Sequence, residues 1–111
     1  MDKATEQLLN QAQIYQHQIQ TVMTQKTALT MEVSEIDKAL EEVDKTKEKH
    51  VLKVSGPILI QISTKDMKKE LGEKKNVIEL RLKTIEKQEN KLKEKIEELR
   101  SKVMKSGPEA G

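Results

Sequence analysis

The chain has 111 residues, of which 36% are charged, 34% hydrophobic and 1% aromatic. Compact globules depend on large aromatic and branched side chains, and this chain has one Tyr, no Phe and no Trp. Its 21 basic and 19 acidic side chains nearly balance, whereas disordered chains combine low hydrophobicity with strong net charge. Together with the regular spacing of the apolar residues, this composition predicts an elongated helical protein of the coiled-coil kind.

Several other classes of protein are disfavoured by what the sequence lacks. It has no Cys, so neither disulfides nor thiolate metal sites are expected, as is usual in a reducing compartment. The longest apolar run is Ile58-Leu59-Ile60, far below the ~20 residues that a membrane helix needs. The first residues show no apolar signal core. We therefore expect a cytosolic protein with no membrane association.

The first long helix is predicted over residues 6–47. From Leu8 onward, apolar residues recur in alternating steps of four and three, and only Lys26 interrupts them. This 3.5-residue period is typical of a helix with one seam facing a partner helix. The predicted seam positions are Leu8, Ala12, Tyr15, Ile19, Val22, Lys26, Leu29, Val33, Ile36, Leu40 and Val43.

A second series with the same alternation predicts another coiled-coil helix over residues 64–105. Lys75 and Glu89 are its polar seam members. Gly107-Pro108 predicts the end of the helix, and residues 106–111 are predicted to form a flexible tail. The predicted seam positions are Leu71, Lys75, Ile78, Leu82, Ile85, Glu89, Leu92, Ile96, Leu99 and Val103.

The two seams have nearly equal length, which predicts that the helices fold back on each other as an antiparallel pair. The residue numbers of any two facing residues then add up to the same value. The sequence leaves two registers open, with sums of 111 and 118. In both registers Lys26 and Glu89 lie one layer apart, close enough to interact across the seam. Either these two residues help to fix the register at some cost in stability, or they are tolerated with their stems packed and their heads in water.

Between the helices the apolar period changes from 3.5 to 2, which predicts a β-hairpin over residues 51–62. Pro57 lacks an N–H and is expected at the turn or at the first strand position. Ser63 or Thr64 is expected to cap the second helix. The predicted fold class is therefore mostly α, with a long antiparallel two-helix coiled coil joined by a β-hairpin.

An isolated two-stranded hairpin is marginal in water and exposes two edges. Five aliphatic residues are predicted to share one face of this hairpin, with Lys53 and Gln61 on the other. We expect hairpins of other chains to cover that face in a shared sheet or barrel, from which coiled coils project. The alternative is that the hairpin folds back over its own helix ends. The five residues are Leu52, Val54, Ile58, Ile60 and Ile62.

The end of the coiled coil opposite the hairpin is predicted to carry little charge on its first helix. The first 31 residues contain four charged side chains, which cancel, and seven Gln. Coiled-coil ends fray, so seam residues such as Leu8, Tyr15, Leu99 and Val103 would be partly accessible. Flexible Met and aliphatic side chains suit weak binding to unspecified apolar surface. The alternative is that they are ordinary scattered surface residues.

No catalytic, cofactor or metal site is predicted, and we expect a protein that is not an enzyme. His17 falls on an outward position and His50 lies at the hairpin entry, and neither has partners at metal-binding or catalytic spacing. The four Gly form no phosphate-binding loop. Because basic residues of the second helix alternate with acids and lack stacking aromatics, binding of nucleic acid is disfavoured.

Two segments resemble the β-type subunit of archaeal prefoldin. One is Val51-Leu52-Lys53-Val54-Ser55-Gly56 leading into Ile58-Leu59-Ile60, and the other is Leu80-Arg81-Leu82-Lys83-Thr84-Ile85-Glu86-Lys87-Gln88-Glu89. The resemblance covers about residues 6–105, and one hairpin without a second is similar to the β class. It departs at Pro57, where the family often has Asn.

The resemblance implies a hexamer of two α-type and four β-type subunits, whose hairpins form a double β-barrel hub built in part from the five aliphatic residues above. It implies that unfolded client proteins are held between coil tips without ATP and passed to a group II chaperonin, with Lys102 and Lys105 near the chaperonin. The rival function is a structural coiled-coil tether or adaptor with one specific partner. The tip residues implied to contact clients are Leu8, Leu9, Ala12, Tyr15, Leu99 and Val103.

Overall fold

The computed structural model describes residues 2–106 and confirms the order helix, hairpin, helix. Residue 106, which was expected to begin the tail, is still helical, and the rest of the predicted tail lies outside the described residues, as does Gly107-Pro108. Within the described part of the chain, neither helix has a stretch apolar enough to cross a membrane. The elements are α1 at Lys3–Lys45, β1 at His50–Ser55, β2 at Ile58–Ser63 and α2 at Thr64–Ser106.

Local hydrogen bonds explain why α1 begins before residue 6 and ends before residue 47. At its start, Asp2 Oδ1 accepts a hydrogen bond from the backbone N–H of Thr5 at 2.7 Å, which is the bond an N-cap makes. This bond also lowers the pKa of the Asp2 carboxyl, because the N–H stabilises its charged form. At its end, Thr46 Oγ1 accepts from the N–H of Glu48 at 3.2 Å, which competes with further helix.

The chain comprises two compact units, and each contains part of both helices. The terminal unit consists of the chain up to Thr27 together with the chain from Lys83 onward, and the central unit is Ala28–Leu82. The hairpin therefore belongs to the central unit.

Within each unit the two helical segments run antiparallel, as predicted. In the terminal unit, Lys26 Nζ meets Glu89 Oε1 at 3.1 Å, while the earlier residue Tyr15 meets the later residue Lys95. In the central unit, two ion pairs show the same antiparallel order. Asp37 pairs with Lys75, and the later residue Asp44 pairs with the earlier residue Lys68.

The 3.5-residue period correctly predicts the buried stripe of both helices. Every described seam residue is buried or half-buried, because the seam is where apolar area can be removed from water at about 25 cal/mol per Å². Most large aliphatic and Met side chains of the helices that lie off the seam are exposed instead, whereas Met67 is half-buried. These exposed residues are Leu9, Ile14, Met23, Met31, Val77, Leu80 and Met104.

A two-residue turn at Gly56 and Pro57 connects the two strands. Gly56 has a φ of +58°, a left-handed conformation that glycine adopts without steric cost. The Pro57 ring fixes a negative φ, so the turn can be type II′, with Gly at its first central position, and cannot be type I′. Ser55 and Ile58 consequently face each other as the first cross-strand pair.

The strand register shows that the predicted apolar face of the hairpin is wrong. Leu52 pairs with Gln61, Lys53 with Ile60, and Val54 with Leu59. Directly opposite residues lie on the same side of a sheet, so Leu52 and Val54 are on the face opposite to Ile58, Ile60 and Ile62. Because the turn has two residues, the residue numbers of two cross-strand partners add up to an odd number. An even-numbered residue of β1 therefore shares its face with odd-numbered residues of β2, not with even-numbered ones.

The junction of hairpin and helices is fixed by hydrogen bonds. Ser63 Oγ accepts from the N–H of Asp66 at 3.0 Å, so Ser63 rather than Thr64 caps α2. Thr64 instead donates its hydroxyl to the Glu48 carbonyl at 2.7 Å and its N–H to the Lys49 carbonyl at 2.8 Å. The segment that follows α1 is thereby tied to the start of α2.

Candidate protein-binding surfaces

The hairpin of the central unit presents apolar side chains on both of its faces. Leu52 and Val54 are 65% and 73% exposed, and Leu59 beside them is also exposed. We call these three residues the outer hairpin face. Leu59 was missing from the predicted set because its odd residue number placed it on the same predicted face as Lys53. These side chains stay exposed, so the single chain does not cover this face, although Leu52 and Val54 lie beside residues of both helices across a cavity of about 520 Å³.

The opposite face of the hairpin turns toward α2. Lys53 lies on this face, and its Nζ forms an ion pair with Glu70 Oε2 at 2.7 Å. Val51 and Ile62, which face each other near the base, are half-buried, whereas Ile58 and Ile60 nearer the turn are exposed. Burial of this face therefore decreases from the base of the hairpin toward its turn.

A groove of about 440 Å³ lies between the helices of the terminal unit. Four of the predicted tip residues line it: Leu9 and Ala12 from α1, with Leu99 and Val103 from α2. Leu99 is 6% exposed and forms the floor of the groove. We call it the Arg100 groove, and its full lining is Leu9, Ala12, Gln16, Ile96, Leu99, Arg100, Val103 and Met104.

Leu8 and Tyr15, the other predicted tip residues, do not line the Arg100 groove. Both are half-buried on the seam. The Tyr15 ring has the ammonium of Lys95 5.6 Å from its centroid, and its hydroxyl accepts from Gln11 Nε2 at 3.3 Å. Tyr15 is thus engaged by its own unit on both its ring and its hydroxyl.

The exposed apolar residue that sequence reasoning missed in the Arg100 groove is Met104, which is 65% exposed. Its position was detectable, because Ile96, Arg100 and Met104 follow one another at steps of four and so share one helix face. The seam pattern alone does not select this face, since it ranks only the residues that are most deeply buried.

A second groove of the terminal unit, of about 450 Å³, shares no residue with the first. Its apolar members are Val22 and Leu92, and its charged members are Lys91 and Lys95. The remaining lining is mostly uncharged polar. We call it the Lys91 groove, and its full lining is His17, Gln18, Thr21, Val22, Gln25, Gln88, Lys91, Leu92 and Lys95.

The predicted interaction of Lys26 with Glu89 is confirmed. The two side chains form a hydrogen-bonded ion pair at 3.1 Å, and Lys93 Nζ lies 3.9 Å from the other Glu89 oxygen. Glu89 is 6% exposed. A carboxylate so deeply buried needs a cation or hydrogen-bond donors beside it, and the two lysines supply them.

The remaining predicted positions are on the helix surface or at the hairpin entry. Lys102 and Lys105 are exposed in the last turns of α2, His17 is exposed on α1, and His50 begins β1. Among residues 2–106, no three His, Asp or Glu side chains come close enough to bind a metal ion together. The surfaces with functional potential are therefore the hairpin and the two grooves.

Comparison with known proteins identifies the family. A family model described as "Prefoldin subunit" matches residues 6–107. Prefoldin subunit beta of Thermococcus onnurineus is 39% identical over 97 residues, covering 86% of this chain and 84% of that protein. Prefoldin subunit beta of Archaeoglobus fulgidus is 39% identical over 106 residues, covering 94% of this chain and 91% of that protein.

Solved structures agree with the sequence comparison. The crystal structure of the prefoldin beta subunit from Thermococcus strain KS-1 superposes with a TM-score of 0.90 at 32% identity, covering 95% of this chain and 93% of that one. The beta2 subunit from the same strain gives a TM-score of 0.74 at 15% identity, covering 81% and 97%. At that identity the second likeness shows the fold alone.

The resemblance inferred from the hairpin and from the segment following Leu80 is thus confirmed by family model, relatives and structure. Prefoldin is a family of chaperone subunits rather than of enzymes, and its members assemble with other prefoldin subunits. This chain belongs to the prefoldin family, as one of its β-type subunits.

Proposed function

We propose that this chain is a subunit of an ATP-independent holding chaperone, which captures unfolded proteins on its terminal unit and delivers them to a group II chaperonin. The observation that carries this proposal is the Arg100 groove, where the exposed side chains of Leu9 and Met104 adjoin the floor residue Leu99. Such an accessible apolar groove with flexible side chains suits many unfolded segments.

Assembly in this proposal uses the hairpin. The outer hairpin face, formed by Leu52, Val54 and Leu59, is exposed in the single chain, and a two-stranded sheet leaves both edges without a strand neighbour. Hairpins of α-type subunits and of further β-type copies would cover the face and the edges in a barrel hub. The composition that we propose is a hexamer of two α-type and four β-type subunits.

Capture by several terminal units explains how weak contacts could hold a client. Fully burying one Leu or Met side chain contributes about 1.5–3 kcal/mol, whereas association costs about 4 kcal/mol or more. One groove therefore binds weakly. Units joined in one particle raise the effective concentration of every further groove. Because the contacts are apolar and individually weak, neither binding nor release needs a nucleotide.

The test is suppression of aggregation by the chain assembled with an α-type subunit. An unrelated denatured protein is diluted into buffer, and light scattering is followed at near-stoichiometric particle concentrations. Replacing Leu9 and Met104 by Ser should abolish most of the protection. The matched control replaces Val77 and Leu80 by Ser, since Leu80 is 64% exposed, close to Met104, but lies in the central unit.

Each result separates the chaperone from the rival tether. Protection by the wild type and the control, with loss in the terminal variant, supports capture at the groove. Equal protection by all three proteins would overturn the role of the groove. If the wild type gives no protection and has the mass of a simple dimer, the result would favour a tether that binds one specific partner.

Delivery to the chaperonin is assigned to Lys102 and Lys105, which lie in the last turns of α2. Replacing both by Glu should slow transfer of a bound client to a group II chaperonin, while protection against aggregation is retained. The client carries a fluorescent label, and transfer is measured as the loss of its fluorescence from the prefoldin particle. Unchanged transfer would place the contact elsewhere.

A further inference from the structure

Every permanently charged side chain that lines the two grooves of the terminal unit is basic. The Lys91 groove contains Lys91 and Lys95, and the Arg100 groove contains Arg100. The first helix adds no charge to either groove, because residues 7–25 include no Asp, Glu, Lys or Arg. The acids of α2 nearby line neither groove; they are Glu94, Glu97 and Glu98.

These three cations are not neutralised by the described part of the chain. Within residues 2–106, neither lysine nor Arg100 forms an ion pair. Lys95 is directed over the Tyr15 ring, 5.6 Å from its centroid, where a cation–π contact orients the ammonium without cancelling its charge. The grooves therefore retain positive charge beside apolar floors.

The surroundings strengthen this bias. Among the described residues, the terminal unit has ten basic and seven acidic side chains, and one of the seven is Glu89, which is buried against Lys26. The central unit has eleven of each sign. A bound segment carrying Lys would meet like charge at the terminal unit, whereas one carrying Asp or Glu would meet complementary charge.

We propose that the terminal unit selects apolar client segments that also carry carboxylates. Aliphatic side chains of the segment occupy the floors of the grooves, formed by Val22 and Leu92 in one and by Leu99 in the other. Its carboxylates lie against the lysines and Arg100. This inference rests on the proposed holding function and names the chemical class of client that the same surface prefers.

The expected preference is modest and sensitive to salt. An exposed ion pair changes affinity by about two- to fivefold, so the three cations together give a preference of about tenfold or more if all are engaged. Screening shortens the range of these interactions from about 10 Å at 0.1 M salt to 3 Å at 1 M. Apolar contacts are not weakened in this way.

The test measures binding of short fluorescent peptides by anisotropy, using the full chain assembled with an α-type subunit. One peptide alternates Leu with Asp, a second has Asn in place of Asp, and a third has Lys. At low salt the Asp peptide should bind about tenfold more tightly than the Asn peptide, and the Lys peptide most weakly. In about 1 M NaCl the Asp and Asn peptides should bind alike.

A charge-neutral variant locates the preference. Lys91→Gln, Lys95→Gln and Arg100→Gln together should remove the advantage of the Asp peptide, measured as the ratio of its affinity to that of the Asn peptide for the same variant. The matched control removes three exposed lysines of the central unit instead. Its substitutions are Lys38→Gln, Lys65→Gln and Lys69→Gln, and it should keep the full preference.

The outcomes are separable from those of the holding function. If Asp and Asn peptides bind equally, or if both triple variants lose the preference alike, selection by the grooves is overturned while holding stands. If no peptide binds and the wild type gives no protection against aggregation, both proposals fall. A preference that is lost only in the groove variant supports the inference.

Discussion

The central and terminal units are built from the same two helices, but different contacts hold them. In the central unit, Lys75 and Lys68 reach the carboxylates of α1 at 2.6 and 2.9 Å, and Lys53 joins the hairpin to α2. Among the described residues of the terminal unit, the helices share one such ion pair, formed by Lys26 and Glu89 at 3.1 Å. Its two grooves are lined mostly by apolar side chains, amides and basic groups.

This difference indicates how one short chain can combine a specific surface with an undemanding one. Exposed ion pairs contribute only about 0–1 kcal/mol each, but each one favours a single arrangement of the groups that it joins. The central unit therefore holds its hairpin in a defined position, as assembly with other subunits requires. The terminal unit has few such restraints, which fits the capture of varied unfolded segments that we propose for it.

The largest expected effect comes from the outer hairpin face. Replacing Val54 and Leu59 by Thr places a β-branched side chain that favours strands at both positions, but puts two hydroxyls in the proposed interface. Each buried hydroxyl without a partner costs about 1–3 kcal/mol, so subunit affinity should fall by at least about thirtyfold. Native mass spectrometry with an α-type subunit over a dilution series measures this loss.

The control for the hairpin variant changes two exposed apolar residues of the same unit. Val77→Gln with Leu80→Gln removes a similar apolar area from α2 and should leave the mass of the complex unchanged. If this control dissociates the particle as much as the hairpin variant does, the hub is not specific to the hairpin.

The next largest effect concerns the buried ion pair of the terminal unit, where we expect an asymmetry. Lys26→Met leaves the buried carboxylate of Glu89 with only the more distant Lys93, at 3.9 Å, and should destabilise the chain by about 1–3 kcal/mol. Glu89→Leu should cost less, because Lys26 can extend its ammonium into water. Urea denaturation of both single variants measures the two losses.

The double variant distinguishes a structural requirement from mere tolerance of the pair. Lys26→Met with Glu89→Leu replaces both charges by apolar groups, which is often neutral or stabilising for buried pairs. A double variant that is more stable but gives mixed helix registers in cysteine cross-linking would show that the pair specifies register. Equal losses from both single variants would contradict the predicted asymmetry.

Two glycines of the central unit should respond to Ala with opposite signs. Gly56 has a φ of +58°, so Gly56→Ala should destabilise the hairpin by about 1–2 kcal/mol through backbone strain. Gly72 lies within α2, and nothing lies within 4 Å of a Cβ added there. Gly72→Ala should therefore stabilise the helix by about 0.5–1 kcal/mol. Thermal denaturation measures both, and equal signs would contradict this reading.

The sequence predicts well what depends on local periodicity. The buried positions of both helices follow from steps of three and four residues, and the interaction of Lys26 with Glu89 is insensitive to which of two registers the helices adopt. An N-cap of α2 at Ser63 or Thr64 also follows from local chemistry, and the hydrogen bond from the Asp66 N–H selects Ser63. These features need no knowledge of how distant segments meet.

What the sequence does not predict depends on turn geometry and on pairing over long distances. Leu59 was assigned to the wrong face because the number of turn residues decides which strand positions are opposite. Met104 was missed as a groove residue because the groove needs Leu9 and Ala12 from the other end of the chain. The sequence left the helix register open between residue-number sums of 111 and 118. It therefore could not say which residues of the two helices meet in the Arg100 groove.

The smallest expected effect is a dependence of stability on alkaline pH in the central unit. The Asp37 carboxylate, 2.6 Å from Lys75 Nζ, raises the pKa of Lys75 above its ordinary value of 10.5 by hydrogen bonding to the charged form, and Glu79 at 3.8 Å adds to this. A pKa that is higher in the folded state means that the stabilisation is complete below the ordinary value and is lost as pH rises through the folded value.

Asp37→Asn should therefore reduce the fall of the unfolding free energy at alkaline pH, and so flatten its curve against pH, more than Glu79→Gln does. The reason is that the Asp37 carboxylate is the nearer and stronger partner of Lys75. Urea denaturation from about pH 9 to 12 brackets the titration of lysine. Below that window the difference between wild type and Asp37→Asn should be constant. If Glu79→Gln flattens the curve as much as Asp37→Asn, the hydrogen bond to Asp37 is not the main cause of the raised pKa of Lys75.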